Sequence, residues 1–185
     1  MSYDDVATSG HEVRWVEWSG EHPQQLHLRW ENQGWVAEGV VGRERVHYVL
    51  RLNASWRVSQ FLLFRDLAEP DLWLGTDGSG RWGEVNGAHR PDLDGCTDLA
   101  LPVTPFTHSL PIRRLPLADG ECAQITVASV DVQTLQLRRE HCTYTRRDHS
   151  RWVCVRESGS VQELTVDQFG LVVEVAQVWR RGGGT

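Results

Sequence analysis

Apolar and polar side chains alternate along almost the whole chain, and that period of two restricts the fold more than any single motif does. Val46, Tyr48, Leu50 and Leu52 fall on one face of an extended segment, with His47, Val49, Arg51 and Asn53 on the other. Trp56, Val58, Gln60, Leu62 and Phe64 repeat the pattern in the next segment, so the pair reads as two antiparallel strands. Further strands are expected at residues 11–18, 25–30, 35–41, 71–75, 81–85, 122–130, 135–145, 151–157, 161–166 and 171–179. Turn formers separate them, as at Asn32-Gln33-Gly34, Asp77-Gly78, Asp119-Gly120, Ser158-Gly159 and Phe169-Gly170. No amphipathic stretch of helical period reaches three turns. About a dozen short strands with tight connections make an antiparallel meander, and open twisted sheets rarely exceed ~10 strands, so this one must curl or close.

Residues 95–115, GCTDLALPVTPFTHSLPIRRL, interrupt the rhythm. Thr104-Pro105 is a helix start: the threonine hydroxyl can accept an N–H from the first turn, and proline at the next position has its φ already fixed. Leu110-Pro111 is a stop, because a residue before proline is pushed out of the α region. The spacing predicts one short helix over Phe106 to Leu110, then an extended run from Ile112 to Leu117. Similar series of hairpins lie on either side, as two like halves. The expected fold is therefore all-β: a long antiparallel meander curled into a β-roll or barrel around one short helix, a single domain over residues 11–181. Residues 1–10 and 182–185 are polar or glycine-rich and are expected to be disordered tails.

The central segment resembles the motif of a bacterial glycolipid-binding family, which reads roughly C-x-D-x-D-L followed by T-P-x-T-N-T-L-P-I-R-R-L. Thr104, Pro105, Thr107, Leu110, Pro111, Ile112, Arg113 and Arg114 carry the match. His108 stands where the family has asparagine, and Ala100 where it has a second aspartate. A tryptophan-rich first half, the aspartate-glycine turn near Trp82, a Thr-Tyr-Thr strand and a last strand ending in Arg180 extend the resemblance over Glu12 to Arg181. It implies a spiral β-roll wrapped around a single helix, here Pro105 to Leu110, with a distant likeness to bacterial lipoprotein and lipid carriers.

A chain of 185 residues can bury roughly 70% of its unfolded surface, enough for one real core. No apolar run approaches the ~20 residues that span a bilayer. The opening MSYDDVATSG has neither a basic n-region nor an apolar h-region, so a cytoplasmic location is expected. The net charge of −6 argues against nucleic acid as a partner, since phosphate binding needs clustered positive charge. Cys96, Cys122, Cys142 and Cys154 form no C-x-x-C pair and read as small buried hydrophobes. A zinc site from His141, Cys142, His149 and Cys154 is disfavoured, because neighbours His141 and Cys142 would point to opposite faces of a strand. No metal and no cofactor are expected.

Nine tryptophans are spread over most of the strands. Indole serves a packed core and also the wall of a cavity for a sugar or lipid, and a large aromatic-lined barrel interior tends to hold an amphiphile. Arg113 and Arg114, in an extended run, should leave opposite faces, so one must point inward. A buried guanidinium costs several kcal/mol unless paired, and Asp98, Asp94 or Glu140 are the expected partners. Its role is either a salt bridge that locks the corner or a fork for a ligand head group. For catalysis there is no G-x-S-x-G, H-E-x-x-H, Walker loop or dinucleotide fingerprint. Asp92, Asp94 and Asp98 suit turn formation better than paired-carboxylate chemistry.

Three functions follow in order. The first is non-enzymatic binding of a small amphiphilic ligand, a glycolipid, fatty acid or similar, in an apolar cavity lined by Tyr48 and Trp56, with Arg113, Arg114, Thr107, His108 and Asp98 near its polar end. The second is a hydrolase or isomerase acting in the same cavity through His108 and Asp98. The third is a structural protein with a packed interior. A homodimer stays open, and a membrane-spanning form is not expected.

Overall fold

The structure is a computed structural model and describes residues 3–43, 45–66 and 68–182. Seven strands run in succession from the start: β1 (His11–Glu17), β2 (Gln24–Glu31), β3 (Gly34–Val41), β4 (Val46–Asn53), β5 (Val58–Phe64), β6 (Leu72–Thr76) and β7 (Trp82–Glu84). A 3-10 turn (Pro91–Leu93), β8 (Asp98–Ala100) and the single α-helix α1 (Phe106–Arg114) follow. The chain then returns through β9 (Cys122–Val130), β10 (Leu137–Arg146), β11 (Arg151–Arg156), β12 (Val161–Val166), β13 (Val172–Val175) and β14 (Trp179–Arg181).

The fourteen strands of the described residues form one sheet, ordered β7-β6-β5-β4-β3-β2-β1-β14-β13-β12-β11-β10-β9-β8. The two ends of the chain meet at its centre, with Trp15 opposite Arg181 and Glu17 opposite Trp179. Each half thus contributes seven strands, and the middle of the chain supplies both edges. The sheet curls without closing. Its edges come together through the Gly95 N–H to the Gly80 carbonyl at 2.9 Å and the Trp82 indole N–H to the Cys96 carbonyl at 2.9 Å. Every pairing is antiparallel except β8 on β9, a three-residue parallel pair that alternation could not announce.

The strands expected at 122–130 and 161–166 are found with those bounds. The one expected at 171–179 is two, β13 and β14, parted by a turn in which Gln177 has φ 61°. Val46, Tyr48, Leu50 and Leu52 are buried as read. In β5 the face is inverted. Gln60 pairs with Arg51 but Val58 pairs with Leu52, so Ser59 is the extra residue of a β-bulge. The bulge turns Phe61 and Leu63 inward in place of Gln60, Leu62 and Phe64. Trp56 lies before the strand with φ 61° and is still buried.

α1 passes through Pro111, where a stop and an extended run over 112–117 were expected. Proline inside a helix removes a backbone hydrogen bond and costs about 3 kcal/mol. Every residue from Phe106 to Ile112 is buried, however, and burying Phe106, Leu110 and Ile112 gains roughly 1.5–3 kcal/mol each. Packing inside the curled sheet outweighs the local penalty, and the extra turn carries both arginines. The start agrees: Thr104 Oγ1 accepts the Phe106 N–H at 3.4 Å.

Trp15, Trp82, Trp152, Tyr48 and Phe61 are almost wholly enclosed, as is Phe106 of the helix itself. Residues 3–10 lie across the far end of the roll. There Val6 is buried, and the Tyr3 hydroxyl accepts the Trp152 indole N–H at 2.7 Å and donates to the His149 carbonyl at 3.1 Å. Met1, Ser2 and residues 183–185 of the expected tails lie outside the described residues.

Candidate functional site

The side chains singled out in the sequence lie around α1, in several small networks. Tyr48 Oη sits 3.3 Å from Thr104 Oγ1, and burial pushes its ionisation well up. The Thr107 hydroxyl accepts the Leu101 N–H at 3.2 Å, and the Ser109 hydroxyl accepts the Val172 N–H at 3.0 Å. Arg114 donates to both oxygens of Asp98, which also accepts the Thr97 hydroxyl at 2.9 Å. Asp94 instead meets His89 at 2.8 Å, and Glu140 meets Arg156 at 2.8 Å. Because α1 is helical there, the two arginines do not leave opposite faces of a strand. Arg113 lies over the Trp56 ring, 4.2 Å from its centroid, and donates to the Asp4 and Phe169 carbonyls. Desolvation lowers its pKa. Trp56, Tyr48, Thr107, His108 and Asp98 are each at most 6% exposed.

His108 joins a set that the sequence left unassembled. Its Nδ1 lies 2.8 Å from the Tyr144 hydroxyl, and its ring also hydrogen-bonds Cys154. The Cys142 thiol bonds the same sulfur, which pulls the Cys154 pKa down and pushes that of Cys142 up. Burial raises Tyr144. Cys142 and Cys154 are neighbours across β10 and β11, whereas His141 turns to Thr126 Oγ1 at 3.2 Å and His149 stacks on Tyr3. Of the four residues weighed as zinc ligands only the two thiols come together, and the described residues contain no group of three or more side chains that could hold a metal ion.

Pleat alternation places Arg138 and Glu140 on the same face of β10 as Cys142 and Tyr144. Ser129 stands opposite Arg138, and Arg156 opposite Cys142, so both share that inner face. Together they form the rim of the roll, one step outside the buried thiols. Residues 101–104 cross this opening just before α1, tied down by the Gln24 amide, which donates to the Val103 carbonyl.

Three adjoining pockets surround the crossing. One of about 480 Å³ is lined by Pro102, Ser129, Arg138, Arg139, Glu140 and Arg156. The next, about 340 Å³, shares Pro102, Ser129 and Arg138 with it and adds Val103, Val130 and Val132. The third, about 350 Å³, keeps Pro102 and Val103 and adds Trp18, Val178 and Trp179. Trp18 is 46% and Val178 43% exposed, unusual for such side chains. Charged and hydroxyl groups line all three, with Asp131 and Gln133 in the second and Glu17, Arg43 and Gln177 in the third, while the indole surface of Trp18 and Trp179 belongs to the third alone. A separate hollow of about 620 Å³ lies at the rim of β3, β4 and β5, around Val40, His47 and Phe64.

Sequence reasoning missed this groove because its residues come from segments spread from Glu17 to Trp179. The single signal was local: a proline-valine pair directly before the motif, in a loop too short to be accidental. No described helix is long and apolar enough to cross a membrane. No curated protein matches the chain. The crystal structure of a DUF1089 family protein from Pseudomonas aeruginosa superimposes with a TM-score of 0.69 and 28% identity, covering 95% of this chain and 94% of that one. A family model described as "Putative glycolipid-binding" matches residues 12–181, nearly the full extent of the roll, and the chain belongs to that family.

Proposed function

We propose that the chain binds an amphiphile of the glycolipid type in the groove around Pro102 and Val103, without converting it chemically. The observation that carries this reading is the continuity of the three pockets through Pro102 and Val103, with charged groups along it and indole and aliphatic surface at the Trp18 end. A ligand with a hydroxyl-rich head and an aliphatic tail is the chemistry that fills both, and such sites combine apolar walls with a few placed polar groups. The family description points the same way. In this reading Thr107, Arg113, Arg114, Asp98, Tyr48, Trp56 and His108 hold the helix and the crossing loop in place, and the head group meets the rim.

Titration with a short-chain glucosyl lipid, followed by tryptophan emission and native mass spectrometry, tests the assignment. Val103→Asp puts a charge in the apolar half of the groove and should weaken binding tenfold or more, about 1.4 kcal/mol. Val40→Asp at the separate hollow should leave affinity unchanged. Equal affinity of the parent and Val103→Asp, or loss only with Val40→Asp, would move the site elsewhere.

A further inference from the structure

We infer that the amphiphile taken by this groove is an acyl ester or amide, its carbonyl oxygen accepting the Trp179 indole N–H while a head-group hydroxyl meets Ser129. This rests on the groove being the amphiphile site. Among the described residues, four buried side chains line the three pockets: Ser129, Val130, Val132 and Trp179. Ser129 is 5% and Trp179 7% exposed, and neither its hydroxyl nor its indole N–H has a hydrogen-bond partner among the described residues. Neither group is among the fully enclosed polar atoms, so both reach the pocket surface. The enclosed indoles of Trp15, Trp82 and Trp152 do find acceptors, in the Val172 carbonyl, the Cys96 carbonyl and the Tyr3 hydroxyl. Trp35 and Trp56 also lack a partner, but they line none of the three pockets.

Strand register puts both groups inside the roll. Trp179 stands opposite Glu17, on the face that Trp15 of β1 turns to the core, and Ser129 shares the inner face of β9 with Val127. The half-buried charges near them are occupied. Glu17 Oε1 accepts from Arg43 at 3.2 Å and its Oε2 faces His22 at 3.3 Å, while Glu140 holds Arg156 at 2.8 Å. What the buried wall leaves open is therefore neutral: one group that donates only and one hydroxyl that donates or accepts. A carbonyl satisfies the indole N–H and brings no proton of its own to be paired beside Val103 and Val178. A hydroxyl in that place would need a second partner, and both Glu17 oxygens are taken. At Ser129 a sugar hydroxyl serves in either direction. An acylated sugar carries both groups, one for each side of the Pro102-Val103 crossing.

The test compares three probes on the full chain: the decanoyl ester of glucose, the decyl ether of glucose at the same position, and glucose itself. The ester should bind about fivefold or more tighter than the ether, the scale of one hydrogen bond. Trp179→Phe keeps an aromatic ring without the N–H, and it should remove that preference by weakening the ester more than the ether. Ser129→Ala should weaken both lipids by a similar factor, since they share the head group. In the parent protein labelled with nitrogen-15, one indole N–H resonance should move downfield with the ester and not with the ether, a readout that stands even if Trp179→Phe fails to fold. Equal affinity for ester and ether, or no such resonance, overturns the carbonyl assignment and leaves the amphiphile reading standing. A preference that survives in a folded Trp179→Phe does the same. Binding of glucose as tight as that of the ester, or failure of all three probes, refutes both.

Discussion

Replacing Arg114 with alanine should be among the most damaging changes the motif can suffer. Asp98 is 2% exposed at its side chain and Arg114 13%. Without the guanidinium, the carboxylate keeps only the Thr97 hydroxyl at 2.9 Å. Breaking a buried pair by removing one partner costs roughly 3–5 kcal/mol, because the charge left behind is neither solvated nor compensated. The reverse change, Asp98→Ala, should cost less, about 2 kcal/mol, since the longer arginine lies nearer the surface and can swing its head into water. The double alanine variant strands no charge, so it should fall short of the sum of the singles by about 2 kcal/mol. Urea unfolding followed by tryptophan emission gives the cycle. The Arg114 variant should also melt about 6–20 °C lower, at 2–4 °C per kcal/mol for a domain of this size. A coupling energy below about 0.5 kcal/mol, the scale of exposed pairs, would refute the reasoning and make this a solvated surface contact.

Gly39 pairs with Tyr48, whose ring would sit 2.1 Å from an added Cβ; Gly39→Ala should cost about 1–3 kcal/mol or more by overpacking, and Tyr48→Ala in the same chain should recover part of that loss. Cys122 is exposed while Cys96, Cys142 and Cys154 are buried, so an aromatic disulfide reagent should label one thiol quickly and three only on unfolding; rapid reaction at Cys154 would mean the rim opens to its sulfur. The Ser150 backbone N–H, with help from Arg151, holds Asp148 down at about 2, against about 3.9 in an unfolded chain. A depressed folded value contributes stability above the unfolded one and loses it as pH falls towards the folded one, so the stability gap between the parent and Asp148→Asn should narrow from pH 4 to pH 2, and a constant gap would contradict the assignment.

The architecture was legible in the sequence because burial on one face of a sheet enforces a period of two, and turn residues punctuate it. Tyr48 and its neighbours could be oriented by parity alone. Where parity failed, in β5, a single unpaired serine shifted the face, and a bulge leaves no mark that a window of alternating residues can detect. The end of α1 was misread for a different reason. Leu110-Pro111 is a true local stop signal, but a helix enclosed on all sides answers to its surroundings before its propensities. That one of the two arginines would need a carboxylate followed from the cost of burying charge, with Asp98 among three candidates, but which arginine was left open because the segment was read as a strand and not a helix. The cluster of His108, Tyr144, Cys142 and Cys154 could not, since it depends on which residues of β10 and β11 face a helix some thirty positions earlier.

The motif acquires a physical meaning from where its side chains end. Thr104 meets Tyr48 of β4, Thr107 holds the Leu101 N–H, Ser109 reaches β13, and Arg114 grips Asp98 at the start of β8. Leu101 to Thr104 is thereby fixed at both ends by residues of the motif, and Gln24 of β2 fixes its middle. A helix so anchored fills the roll with aromatic and aliphatic side chains and satisfies most of its polar groups internally, which makes the roll a frame more than a container. What the frame presents at its rim is the short crossing of Pro102 and Val103, exposed and half-buried respectively, between a pocket of mixed charge and an indole-lined one. Under the proposed function, the motif identifies the family because it sets the position of this crossing, although none of its own side chains needs to touch the ligand. Substitutions at Thr107 or Arg114 should then lower stability and affinity together, while one at the exposed Arg138 should change affinity alone.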